Sequence, residues 1–140
     1  MARCEVVVHI DAPVERVWSL YTQLASKALW LEAVGRIDPL PGQGVRYRIR
    51  YRGPYPASVV EVAASEPLRY HEEHFAGGPI SGIWRAWFRS VGGQTELRYE
   101  SDAKLALGPL GRIVERWTRK QTERLHRGEV ERLKALAESK

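Results

Sequence analysis

Residues 109–140 read as one long helix, and in a single-domain chain of this length a helix that long needs a sheet to lie against. Gly108 supplies a flexible joint, and Pro109 at the first helical position brings a fixed φ while losing no needed donor. An apolar stripe follows at three- and four-residue spacing: Leu110, Ile113, Val114 and Trp117, continuing through Gln121, Leu125 and Gly128. Beyond Gly128 the apolar residues Val130, Leu133, Leu136 and Ala137 fall on a rotated face, so the helix is expected to bend or change partner there. The opposite face is basic, with Arg112, Arg116, Arg119, Lys120, Arg124, Arg127, Arg132, Lys134 and Lys140 against five glutamates.

The partner sheet is written upstream. Residues 3–10 alternate, with Cys4, Val6, Val8 and Ile10 on one face and Arg3, Glu5, Val7 and His9 on the other. Asp11 is a plausible helix cap before Pro13, and Val14, Val17, Trp18 and Tyr21 form the buried face of a short helix. A second helix over 24–33 presents Leu24, Ala28 and Leu31 with Trp30 beside them, and Gly35 ends it. After a turn-rich segment from Asp38 to Gly44 comes the cleanest alternation in the chain, with Val45, Tyr47, Ile49 and Tyr51 facing in and Arg46, Arg48, Arg50 and Arg52 facing out. Glycine and proline then punctuate strands at 57–64, 68–75, 81–90 and 95–103. No link between these strands can hold a helical crossover, so the topology is an antiparallel meander. The order reads strand, two short helices, a meander of strands and a long helix, in one domain spanning residues 1–140.

Composition narrows the function classes. Hydrophobic content of 44% and charged content of 28% suit a globular domain, and no apolar run approaches the roughly 20 residues that span a bilayer. Met1 leads straight into a strand pattern with no leader-like segment, so the cytoplasm is the expected location, and the single cysteine, Cys4, fits that setting. A net charge of +5 permits contact with an anionic membrane or a ribosome without requiring it; no specific DNA binding is expected.

Catalytic motifs are absent. His71 and His74 lie three apart in a strand and point to opposite faces, so they cannot chelate one ion, and neither a metal nor a cofactor is implied. His9 and His126 read as surface residues. What stands out is an aromatic and polar lining for the inner face: Tyr47 and Tyr51, then Tyr70, Glu72 and His74, then Trp84 and Phe88, then Tyr99, closed by a helix carrying Trp117 and Gln121. Such a surface makes a small-molecule cavity, and ordinary core filling is the alternative. Glu72, His74 and Gln121 favour the cavity, because buried polar groups without partners are expensive.

The order of elements resembles the START-like (SRPBCC, helix-grip, polyketide cyclase/dehydrase) superfamily. Residues 8–18, from Val8 through His9, Ile10, Asp11 and Pro13 to Trp18, are similar to its strand-to-helix signature, residues 82–88 to its long central strand, and residues 108–112 to the opening of its final helix. The resemblance implies an α+β helix-grip fold: a seven-stranded antiparallel sheet wrapped around a long C-terminal helix, with two short helices after the first strand. It also implies binding of a lipid, quinone or polyketide-like molecule, as carrier or sensor. The alternatives are a cyclase or aromatase, with Glu72 and His74 as candidate acid and base, and an interaction protein for ribosomes or anionic surfaces, as in related bacterial proteins. Gly77 and Gly78, with Leu105 and Leu107 just before the last helix, are expected to meet at the open end of the grip as a gate.

Overall fold

The computed structural model describes residues 2–139. Its elements are β1 (Ala2–Ile10), α1 (Val14–Thr22), α2 (Leu24–Trp30), β2 (Val34–Pro39), β3 (Arg46–Tyr51), β4 (Ser58–Glu66), β5 (Tyr70–Gly77), β6 (Ile80–Val91), β7 (Gln94–Leu105) and α3 (Pro109–Glu138). The strands form one seven-stranded antiparallel sheet in the order β1-β7-β6-β5-β4-β3-β2. The α1–α2 pair carries the chain from one edge of the sheet to the other, and the meander returns it to β1. This is the α+β helix-grip architecture that the order of elements implies. β2 is the strand the sequence pattern does not disclose, because Gly35 and Asp38 read as turn residues.

The core follows the alternation of β1. Cys4, Val6, Val8 and Ile10 are buried and pack with Val14, Val17 and Tyr21 of α1, Phe88, Leu97 and Tyr99 of the sheet, and Val130, Leu133 and Ala137 of α3. A second cluster gathers Tyr47, Ile49 and Val60, and Leu31 and Trp84 pack against both. Asp11 does not cap α1; its side chain accepts from Gln94 Nε2 at 3.4 Å. Arg16 of α1 instead closes the C-terminus of α3, donating to the carbonyls of Ala137 at 2.7 Å and Leu136 at 2.9 Å, where a cation also complements the helix dipole.

α3 runs unbroken through Gly128 but changes surroundings there. Val130, Leu133 and Ala137 are buried, whereas the first stripe, Leu110, Ile113, Val114, Trp117 and Leu125, is exposed. The expectation that this stripe closes on the sheet is therefore overturned. The helix takes its rotation from Gly111, where a Cβ would come 2.6 Å from the Leu105 carbonyl oxygen, and from the buried His126. Between them the inward row is polar and already partnered: Glu115 accepts the Leu105 N–H at 2.9 Å, and the Thr118 and Thr122 hydroxyls donate to the carbonyls of Val114 and Thr118.

The arginine stripe of β3 lies on the outer face as expected. Arg50 reaches Asp38 at 3.8 Å, while Glu96 and Glu100 pair with Arg89, Arg3 and Arg85 rather than with that stripe.

Candidate functional site

The phase of β5 decides the chemistry of the inner face. Residues 70–76 are polar and aromatic in both phases, and β4 carries a bulge between Val62 and Ala64, so parity cannot be carried across the hairpin. The structure turns His71, Glu73 and Phe75 inward and Tyr70, Glu72 and His74 outward. The inner-face placement of Tyr70, Glu72 and His74 is thereby corrected by one residue.

Glu73 is nevertheless provided for. Lys27 of α2 places its Nζ 3.0 Å from Glu73 Oε1, and the Tyr47 hydroxyl donates to the other carboxylate oxygen. The Lys27 ammonium also lies 4.7 Å from the Tyr21 ring centroid, 5.4 Å from Trp30 and 5.8 Å from Tyr47. A desolvated cation is thus held by one carboxylate and three aromatic rings. His71 stands next to the pair, its Nε2 3.7 Å from Glu73 Oε1 and its Nδ1 3.1 Å from Ser65 Oγ, with the Trp18 and Tyr21 rings edge-on to the imidazole. Burial foremost holds the His71 imidazole below its ordinary pKa; the Glu73 charge opposes that shift and Lys27 adds to it. Burial, then the Glu73 charge and hydrogen bond, push the Tyr47 phenol far up, so its hydroxyl stays protonated and serves as a donor.

A second polar group hangs from α3. Glu129 Oε2 accepts the Glu32 backbone N–H at 2.8 Å and Oε1 lies 3.1 Å from His126 Nδ1; Tyr99 Oη is 3.5 Å from the same nitrogen. His126 is therefore buried, not a surface residue. Burial foremost, with the charges of Glu129 and Glu73 among the lesser contributions, also raises the Tyr99 pKa.

Apolar side chains remain reachable above these groups. Trp84, the cross-strand neighbour of Glu73, stacks on Phe75 at 4.2 Å between ring centroids, and Tyr51 and Leu31 are half-buried on the same side. A Cβ at Gly82 would sit 2.8 Å from the Phe75 ring and closer still to the Asp102 carbonyl oxygen, so glycine gives the ring its place. Such a surface can stack an apolar or aromatic molecule, with hydrogen-bond donors and acceptors beneath it.

Of the predicted lining, Tyr47, Tyr51, Trp84, Phe88 and Tyr99 lie on the inner face, while Trp117 and Gln121 point away from the sheet. On the outer face Glu72 accepts from the Tyr70 hydroxyl and lies 2.7 Å from His74 Nε2 and 3.4 Å from Arg85 Nε. The Tyr70 hydrogen bond is the main reason its carboxyl sits below the usual pKa, which makes it an ionised acceptor rather than an acid. The segments around Gly78 and Leu105 lie side by side: Ala106 N–H donates to the Pro79 carbonyl at 2.7 Å, and Ile80 pairs with Leu105. Lys27, His71, Glu73, His126 and Glu129 escape the sequence reading. Phe75, the apolar member of its phase, was the available signal for β5; Lys27 gives none, because it stands beside the Leu24, Ala28 and Leu31 row.

Residues 1–138 match a family model described as polyketide cyclase / dehydrase and lipid transport. Comparison with curated proteins finds no match. Several solved structures share the fold. A conserved protein from Geobacillus kaustophilus is 16% identical over 95% of this chain and 93% of that one, with a TM-score of 0.77. The Zhui aromatase/cyclase from Streptomyces sp. R1128 is 21% identical over 97% of this chain and 93% of that one, with a TM-score of 0.75. The di-domain ARO/CYC BexL is 18% identical, with a TM-score of 0.78 over 96% of this chain and 46% of that one. These identities speak for the fold alone; the family match spans nearly every residue, and the chain belongs to the polyketide cyclase / dehydrase and lipid transport family.

Proposed function

We propose that the protein binds a small hydrophobic or amphipathic molecule, lipid, quinone or polyketide-like, on the concave face between the sheet and α3, as a carrier or sensor in the cytoplasm. The observation that carries this reading is the stacked pair of Trp84 and Phe75, partly open, next to the buried Lys27, Glu73 and Tyr47. Apolar rings would lie on the aromatic pair, and a carbonyl or hydroxyl oxygen would find donors already in place. Gly77, Gly78, Leu105 and Leu107 form the gate in this reading. The test is displacement of a hydrophobic fluorescent probe by quinones, fatty acids and polyketide-like aromatics. Trp84→Ala weakens binding, whereas Glu72→Gln and His74→Ala, on the outer face, leave it unchanged. Equal binding by the Trp84 variant refutes the site.

A second reading is acid–base chemistry on a bound carbonyl compound. It rests on Tyr47 and Glu73 sharing a proton donor–acceptor contact beside the His71 imidazole, and two of the fold's solved neighbours are an aromatase/cyclase and an ARO/CYC protein. Tyr47→Phe keeps the ring and removes the donor. Loss of turnover with retained binding supports catalysis; unchanged turnover of a polyketide-like substrate rules Tyr47 out of it.

A further inference from the structure

The first half of α3 leaves an apolar line in solvent, interrupted by Gln121: Leu110 is 64% exposed, Ile113 51%, Val114 37%, Trp117 80% and Leu125 40%. Apolar side chains clustered this way on one helix mark a contact surface, whereas single exposed ones do not. The line is turned by roughly 120° from the row through Gly111, Glu115, Thr122 and His126 that faces the sheet. Along one flank runs a basic row, Arg112, Arg116, Lys120, Arg124 and Arg127, and none of the five has an ion-pair partner among the described residues. Residues 109–127 hold six basic side chains against two acidic ones, a net charge of +4. Lys120, Arg124 and Arg127 also border a cleft of about 450 Å³ against β1, completed by Cys4, Glu5, Val6 and Glu123.

We propose that this half of α3 docks on an anionic phospholipid surface, its apolar line entering the acyl boundary and its basic row meeting the phosphates. A helix with an arginine-rich flank and a tryptophan-bearing apolar face has the make-up of an interfacial helix. Charge decides against a second copy of the chain, because two such helices packed on their apolar lines would bring like basic rows together with few acids to meet them. Nucleic acid would satisfy the basic row but leave the apolar line in water. The proposal does not depend on what the concave face binds, so either can fail alone.

Flotation of the full chain with phosphatidylcholine vesicles containing roughly 30% phosphatidylglycerol tests it, against vesicles of phosphatidylcholine alone. The protein floats with the anionic vesicles, and floats less as sodium chloride rises from about 0.1 M to about 0.5 M. Ile113→Ser with Trp117→Ser weakens partitioning by about tenfold or more, and Lys120→Glu with Arg124→Glu does so by removing attraction. All four positions are exposed, and circular dichroism of each variant checks that the fold is retained. Failure of the native protein to float, equal binding to uncharged vesicles, or undiminished binding by folded variants overturns the proposal. So does a dimer that dissociates on Trp117→Ser, or co-sedimentation with ribosomes by a protein that does not float.

Discussion

Lys27 Nζ and Glu73 Oε1 lie 3.0 Å apart, with side chains only 3% and 2% exposed, and no other charged pair is so fully enclosed among the described residues. A buried charge that loses its partner stays desolvated, so removing one member costs more than removing both. Glu73→Leu and Lys27→Met should each destabilise by about 3–5 kcal/mol, and the double variant by clearly less than their sum. Urea denaturation of the four proteins measures the coupling. Single losses below about 1 kcal/mol would show that the pair is not desolvated as described.

The His71 imidazole makes stability depend on pH in a defined window. Its folded pKa lies below the ordinary 6.5, chiefly through burial, so just below that value the unfolded chain binds more protons than the folded one. Its contribution is complete above the unfolded pKa and is lost as pH falls toward the folded value. Glu72, whose pKa is depressed from 4.5 mainly by the Tyr70 hydrogen bond, stabilises above that value and loses its effect in a separate, more acid range. Denaturation curves between about pH 7 and about pH 5 should show stability falling with pH, and His71→Gln should flatten that fall. A native protein whose stability is flat across the window contradicts the assignment.

Gly82 is required by its neighbours and Gly92 by its backbone. A methyl at Gly82 meets the Phe75 ring at 2.8 Å and the Asp102 carbonyl, whereas at Gly92, with φ of 56°, it meets nothing within 4 Å. Gly82→Ala should cost about 2 kcal/mol or more by forcing β6 and β7 apart, and Gly92→Ala about 1 kcal/mol from the left-handed backbone. Thermal unfolding ranks the two, and only Gly82→Ala should also disturb probe binding beside Phe75.

Leu105 is half-buried and paired with Ile80, whereas Leu107 is exposed. Replacing Leu107 with serine should therefore change ligand on-rates with a stability effect within about 0.5 kcal/mol, while serine at Leu105 lowers stability as well. Stopped-flow binding together with denaturation separates gate from core. Unchanged on-rates in the Leu107 variant would remove it from the gate.

Much of this protein is determined locally. Alternation in β1 and β3, the glycine and proline punctuation of the meander, and Gly108-Pro109 before α3 each act within a few residues, so the order of elements apart from β2, the antiparallel meander and five inner-face aromatics could be read directly. Tertiary structure decided what local pattern leaves open. Both phases of β5 are equally polar, and the choice falls to Glu73 because Lys27, 46 residues earlier, and Tyr47 supply its partners from other elements. The rotation of α3 is likewise set by the close approach of Gly111 to Leu105 and by His126 against Glu129, not by the apolar stripe that periodicity alone would have buried. A side chain's face follows from what stands opposite it, and that neighbour is brought there only when the chain folds.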